Sequence, residues 1–244
     1  MSIRSLRAAV SFLTVLPVAN ADGGPGERLG RAYFPAIGAA VGVVAGVAFV
    51  FTSAFSTPLL GAAVAVTVLC ALTGAIHLDG LADTADGLLT PAGDVERRLA
   101  VMRDPRLGSF GVVAIVVVLV VDVAALSATA PARALAALVI AGALSRFATV
   151  AVIALVPYVR AAGLGVAAWQ ERRRLLDLAA GGATVVVVAL LDWRRALVAA
   201  LVVALSTVVL VALARRRIGG ATGDVCGATA ELGQLATLIV FAVH

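Results

Sequence analysis

"SFGVVAIVVVLVVDVAALSATA", residues 109 to 130, carries a single ionisable side chain, Asp122, in an otherwise apolar run. A helix needs about 20 such residues to cross the hydrocarbon of a bilayer, so this stretch reads as a transmembrane helix. Similar apolar segments fall at 33–56, 59–76, 134–157, 178–191, 196–214 and 225–243, which makes about seven spans, within a range of six to eight. The segment 178–191 is the shortest of them. The chain as a whole agrees, being 62% hydrophobic with a mean hydropathy of +1.08. The expected fold class is all-α, a polytopic integral membrane bundle forming one domain over residues 1–244.

The charge of the chain is a topology signal. All 19 basic residues are Arg and the net charge is +5, but no basic stripe interleaved with aromatics appears, which argues against nucleic acid as a partner. Cys70 and Cys226 lie far apart without CxxC spacing and read as inert thiols. Arg4, Arg7, the apolar run 8–18 and Ala19-Asn20-Ala21 imitate a secretory signal peptide. With an uncleaved cytoplasmic N-terminus, however, fifteen Arg fall on the cytoplasmic side (Arg4, Arg7, Arg28, Arg31, Arg97, Arg98, Arg103, Arg106, Arg160, Arg172 to Arg174, Arg215 to Arg217). Only Arg133, Arg194 and Arg195 fall opposite, and cleavage would reverse most of this bias. Residues 1–21 are therefore expected to stay, as a membrane-surface or partly inserted helix.

Under that topology the loops 77–108 and 158–177 and the entry to the last span open to the cytoplasm, and the unusual residues gather there. In "HLDGLADTADGL", residues 77–88, Asp79, Asp83 and Asp86 are spaced i, i+4, i+7, which confines them to an arc of about 60° on a helix. Three like charges on one face call for a cation, and carboxylate oxygens suit Mg2+ or Mn2+, which commonly bridge a few carboxylates to substrate phosphates. The competing reading is a solvated helix end. His77 lies about 160° around from Asp79, where it would be either a membrane-interface histidine or, if the backbone unwinds, a general base.

"MRDPRLGSFG", residues 102–111, flanks Asp104-Pro105 with Arg103 and Arg106. Pro makes this a turn or helix start, and the two guanidiniums would suit a diphosphate near a bound metal, besides anchoring the loop as positive-inside charges. In "GGATGDVCGATAELGQ", residues 219–234, Asp224 and Glu231 are seven apart and share a helix face. Gly223, Gly227, Ala228 and Ala230 allow that helix to approach a neighbour closely. Asp122 and Arg146 lie within spans and read either as a structural ion pair between spans three and four or as part of a substrate path.

These three motifs, with "PYVRAAGLG" at 157–165 and "FLTVLPV" at 12–18, occur in an order and spacing that resembles the cobalamin synthase, or adenosylcobinamide-GDP ribazoletransferase, family over nearly the whole chain. The resemblance implies transfer of the adenosylcobinamide phosphoryl group from its GDP ester to α-ribazole or α-ribazole 5'-phosphate, with release of GMP and a requirement for Mg2+. It further implies a multi-pass protein of a bacterial or archaeal membrane with its active site on the cytoplasmic side, and association with other cobalamin-assembly enzymes. Mapped on this chain, Asp79, Asp83 and Asp86 would hold the metal. Asp83, Asp86 or His77 would serve as catalytic base, and Arg103, Arg106, Arg146, Asp224 and Glu231 would contact substrate. The alternatives are another Mg2+-dependent membrane diphosphate transferase, such as a CDP-alcohol phosphotransferase, and a transporter with Asp122, Arg146 and Glu231 along an ion path.

Overall fold

Two helices made of alternating large and small residues meet at the centre of the protein. In the computed structural model, which describes residues 2–18, 29–91, 93–160, 168–169 and 173–243, α2 (Phe34–Phe55) packs against α7 (Pro131–Leu155). Gly38, Gly42 and Gly46 form one stripe along α2 at four-residue spacing. A Cβ at Gly38 would collide with the Gly142 carbonyl, and one at Gly42 with the Leu138 carbonyl. Backbones can come this close only where side chains are missing, and in a bilayer such close packing is a principal source of helix association. Residues Ala19-Asn20-Ala21, Arg28, 161–165 and Arg172 lie outside the described residues.

The remaining helices among the described residues are α1 (Ile3–Leu13), α3 (Pro58–Thr73), α4 (Ile76–Leu89), α5 (Val95–Val101), α6 (Ser109–Ala128), α8 (Arg174–Ala189), α9 (Trp193–Ile218) and α10 (Gly223–Ala242). Among the described residues, five helices are long and apolar enough to cross a membrane: α2 with the 3-10 turn before it, α6, α7, α9 and α10. A sixth candidate is the pair α3 and α4, bent by 88° at their junction. The bend has a local cause: Gly74 and Ala75 both take left-handed backbone conformations, φ 60° and 55°. The Ala75 N–H returns to the Cys70 carbonyl at 2.9 Å, which closes off α3.

The 16-residue α3 and α8 reach only about 24 Å each, yet both join the same two faces of the bundle as the long helices. Arg31, just before α2, pairs with Asp177 in the first turn of α8 at 2.6 Å. The end of α9 leads to Ala221, whose backbone pairs with the segment after α7, so α8 and α9 run in opposite directions between the faces. This is a multi-pass membrane protein. Its outer residues, Val113, Val116 and Val120 on α6 and Leu197, Leu201 and Leu205 on α9, are all more than half exposed, as a lipid-facing surface requires. The N-terminal α1 has 11 residues, too few to cross. It lies against the bundle through buried Ala9 and Leu13 and a Phe12–Phe34 stack with centroids 5.7 Å apart.

Candidate active site

The last helix brings the distant ends of the chain together. α10 packs across α4 at a pair of glycines: a Cβ on Gly80 would lie 2.9 Å from the Asp224 carbonyl and 3.2 Å from the Gly227 Cα. Any larger side chain at 80 would push the two helices apart. The contact places Asp79 and Asp83, one turn apart on α4, within electrostatic reach of Asp224 in the first turn of α10. Asp79 is exposed, and Asp83 and Asp224 are half-buried.

Asp224 is held from two sides. The Arg160 guanidinium pairs with its Oδ2 at 2.6 Å and the Thr222 hydroxyl donates to the same oxygen at 3.2 Å, while Thr222 Oγ1 caps α10 by accepting from the Val225 N–H. Arg160 is set in place by a short backbone pairing. Val159 N–H donates to Ala221 O at 3.1 Å and Ala221 N–H to Pro157 O at 2.9 Å. Gly220 must be glycine here, since a Cβ would strike the Pro157 carbonyl.

Asp86 has a different position from its two sequence partners. It is buried, and its Oδ2 and Oδ1 accept from the backbone N–H groups of Gly108 at 2.8 Å and Gly111 at 2.9 Å. Those are free donors at the N-terminus of α6, where Gly108 offers no side-chain cap of its own, and a carboxylate there also meets the positive end of the helix dipole. The glycines of "LGSFG" follow from this, because a Cβ at Gly108 or Gly111 would collide with the Asp86 carboxylate. At the same C-terminal end of α4, the buried Arg98 guanidinium donates to the carbonyls of Gly87, Leu88 and Thr90 at 3.0, 3.2 and 3.0 Å. Asp86 and Arg98 thus fix α4 against α6 and α5.

The DPR turn is self-contained. Arg106 donates to Asp104 through Nε at 2.9 Å and Nη2 at 2.7 Å, and its hydrogen bonds hold the Asp104 carboxyl down to about 2. Arg106 and Arg103 are both exposed, but Arg106 is paired within the turn while Arg103 is close enough to Tyr158 to influence it.

Glu231 and Arg146, expected beside the substrate, lie deeper. Glu231 is two turns along α10 from Asp224, about 10 Å by helix rise, and Glu231 and Arg146 are both buried. Of the two readings of Asp122 and Arg146, the ion pair between them is not formed among the described residues. Asp122 Oδ2 accepts from Gln234 Nε2 at 2.8 Å, and Arg146 donates to Ser145 Oγ at 2.9 Å with its charge set against Glu231. The reason is packing: α10 sits between α6 and α7, which scarcely touch, so each partner meets α10 instead. These groups border a cavity of about 10 Å³, room for about one water. His77 is buried beneath the α4–α10 crossing, its Nδ1 without a hydrogen-bond partner among the described residues, on the interior side of α4 and not the open side where Asp79 lies.

Among the described residues no three His, Cys, Asp or Glu side chains converge to enclose a metal ion. The donor set nevertheless suits a hard cation, because Asp79, Asp83 and Asp224 offer only oxygen, and Mg2+ is commonly bound through one or two carboxylates with substrate phosphates and water completing the shell. Sequence reasoning missed Arg160 and Arg98 as site-building residues and counted both only as topology charges. The signal for Arg160 was its place in "PYVRAAGLG", one of the motifs already singled out.

The profile of the cobalamin-5-phosphate synthase family matches residues 5–242. An adenosylcobinamide-GDP ribazoletransferase of Stutzerimonas stutzeri (strain A1501) is 38% identical over 98% of each chain. A protein of the same name from Pseudomonas paraeruginosa (strain DSM 24068 / PA7) is 37% identical over 99% of each. One from Bradyrhizobium diazoefficiens is 36% identical over 98% of this chain and 94% of its own. No solved structure matches the chain.

Proposed function

The chain belongs to the cobalamin-5-phosphate synthase family, and from that premise we propose that the junction of α4 with the start of α10 is its active site. The enzyme is an adenosylcobinamide-GDP ribazoletransferase of cobalamin nucleotide-loop assembly: it joins adenosylcobinamide-GDP to α-ribazole, or to its 5'-phosphate, and releases GMP. The observation that carries the placement is the meeting of Asp79 and Asp83 with Asp224, some 140 positions on in sequence, and its partner Arg160, some 80 positions on, across the Gly80–Gly227 contact.

Each group has a task that follows from its position. Asp79 and Asp83, with Asp224 opposite, would hold Mg2+, which supplies charge neutralisation on the diphosphate. Arg160 pairs with Asp224 and is placed to take a phosphate oxygen in its stead, since a guanidinium fork pairs with carboxylate and phosphate alike. Arg103, exposed beside it, adds a second positive charge on the same side. Asp83 is the carboxylate available to accept the ribazole hydroxyl proton, because Asp86 is occupied by α6 and His77 is enclosed. Catalysis of this kind rests mainly on positioning and electrostatics.

The same end of the bundle carries Arg4, Arg7, Arg103, Arg106, Arg160, Arg173 and Arg215 to Arg217. That excess of Arg supports a cytoplasmic orientation for the site. The test is GMP release from adenosylcobinamide-GDP in isolated membranes. Asp83→Asn should insert normally and lose about 100-fold or more in turnover, and near wild-type turnover at limiting Mg2+ would remove Asp83 from the site.

A further inference from the structure

The segment that positions Arg160 also presents an aromatic ring. Residues 157–160 are extended and paired with Ala221, so Tyr158 and Arg160, at i and i+2, stand on the same face about 7 Å apart. Tyr158 lies among the charges of Arg160, Asp224 and Arg103. Behind it is Trp169, with ring centroids 4.6 Å apart and planes inclined by 36°. Trp169 is itself anchored by its indole N–H, which donates to Val156 O at 2.9 Å. Both rings are half-buried, which leaves surface for a further partner. An aromatic face two residues along an extended segment from a guanidinium has the spacing of the two ends of a single nucleotide, base and phosphate.

We propose that Tyr158, backed by Trp169, stacks the guanine of the GDP-activated substrate while Arg160 holds its phosphate. The inference rests on the active site proposed above and adds the means by which the nucleotide is gripped. Guanine is the occupant because the diphosphate lies at Arg160 and the base is joined to it through one ribose, whereas the ribazole base enters on the other reactant. Stacking tolerates any base by its π face, and the Tyr hydroxyl is not needed for it.

GMP, the leaving product, is the probe. In purified enzyme in nanodiscs, Tyr158→Leu should weaken inhibition by GMP about ten-fold and raise KM for adenosylcobinamide-GDP to a similar degree. KM for α-ribazole should stay unchanged, and Tyr158→Phe should restore both values. Without any substitution, ribose 5-phosphate, which has no base, should inhibit the native enzyme about ten-fold less well than GMP or worse. Unchanged GMP inhibition in Tyr158→Leu, equal inhibition by ribose 5-phosphate and GMP, or a rise confined to the α-ribazole KM would overturn the proposal. A simple membrane-interface role for the tyrosine would move none of these constants. Asp83→Asn, assayed alongside, reports on the acidic site separately: activity lost there with GMP inhibition unmoved in Tyr158→Leu rejects the stack alone.

Discussion

Asp86 and Asp83 differ by three positions and serve different neighbours. Their spacing puts both on one helix face, which is as far as periodicity reaches; what separates them is that α6 begins beside Asp86 and directs two backbone donors at it. Hydrogen bonds to a charged acceptor contribute about 1.5–3 kcal/mol each. Asp86→Asn is accordingly expected to lower stability by about that much, seen as a lower midpoint of thermal unfolding in detergent, while the Mg2+ concentration for half-maximal activity stays unchanged. A marked rise in that concentration with unaltered stability would return Asp86 to the metal. The DPR turn makes the same point, since Arg106 looks free in sequence but is spent on Asp104 two residues away.

At the scale of helices, the decisive contacts are glycine-to-backbone. Gly80→Val would insert two methyl groups where the Asp224 carbonyl already leaves 2.9 Å for a single Cβ, and overpacking of this kind costs about 1–3 kcal/mol. Because the strain falls on the α4–α10 crossing, the variant should lose activity in membranes where its abundance is near normal. Gly182→Ala on α8 is the matched control: its Cβ would meet only Phe147 at an ordinary 3.7 Å, and the gain in helix propensity of up to about 1 kcal/mol predicts equal or higher thermal stability with full activity. Equal tolerance at both positions would show that the close crossing is not needed. The stripe Gly38, Gly42, Gly46 was legible beforehand as a small-xxx-small pattern, but sequence reasoning passed over it in favour of the charged motifs. The 88° break after α3 was less legible, since Ala75 in a left-handed conformation violates the preference that would identify such a position.

For the whole molecule, the Arg asymmetry and the packing agree on which chain segments share a face. Cysteines introduced at Asp94 and Arg216, in a chain with Cys70 and Cys226 replaced by Ala, should be labelled by an impermeant reagent from the cytoplasmic side, and one at Arg194 from the opposite side. Labelling of 94 and 216 from different sides would break the arrangement in which α8 and α9 run antiparallel. The sequence by itself determined the membrane bundle, its family and the motifs that matter, because hydrophobic length, charge bias and the spacing of acids on a helix are local properties of the chain. It did not determine which charged groups meet. Asp224 joins Asp83 and Arg160, while Glu231 on the same helix face joins Arg146 and Asp122 joins Gln234, because α10 inserts between α6 and α7 and lies across α4. That choice is made by close packing of small residues between distant helices, which leaves no periodic trace linking the two partners.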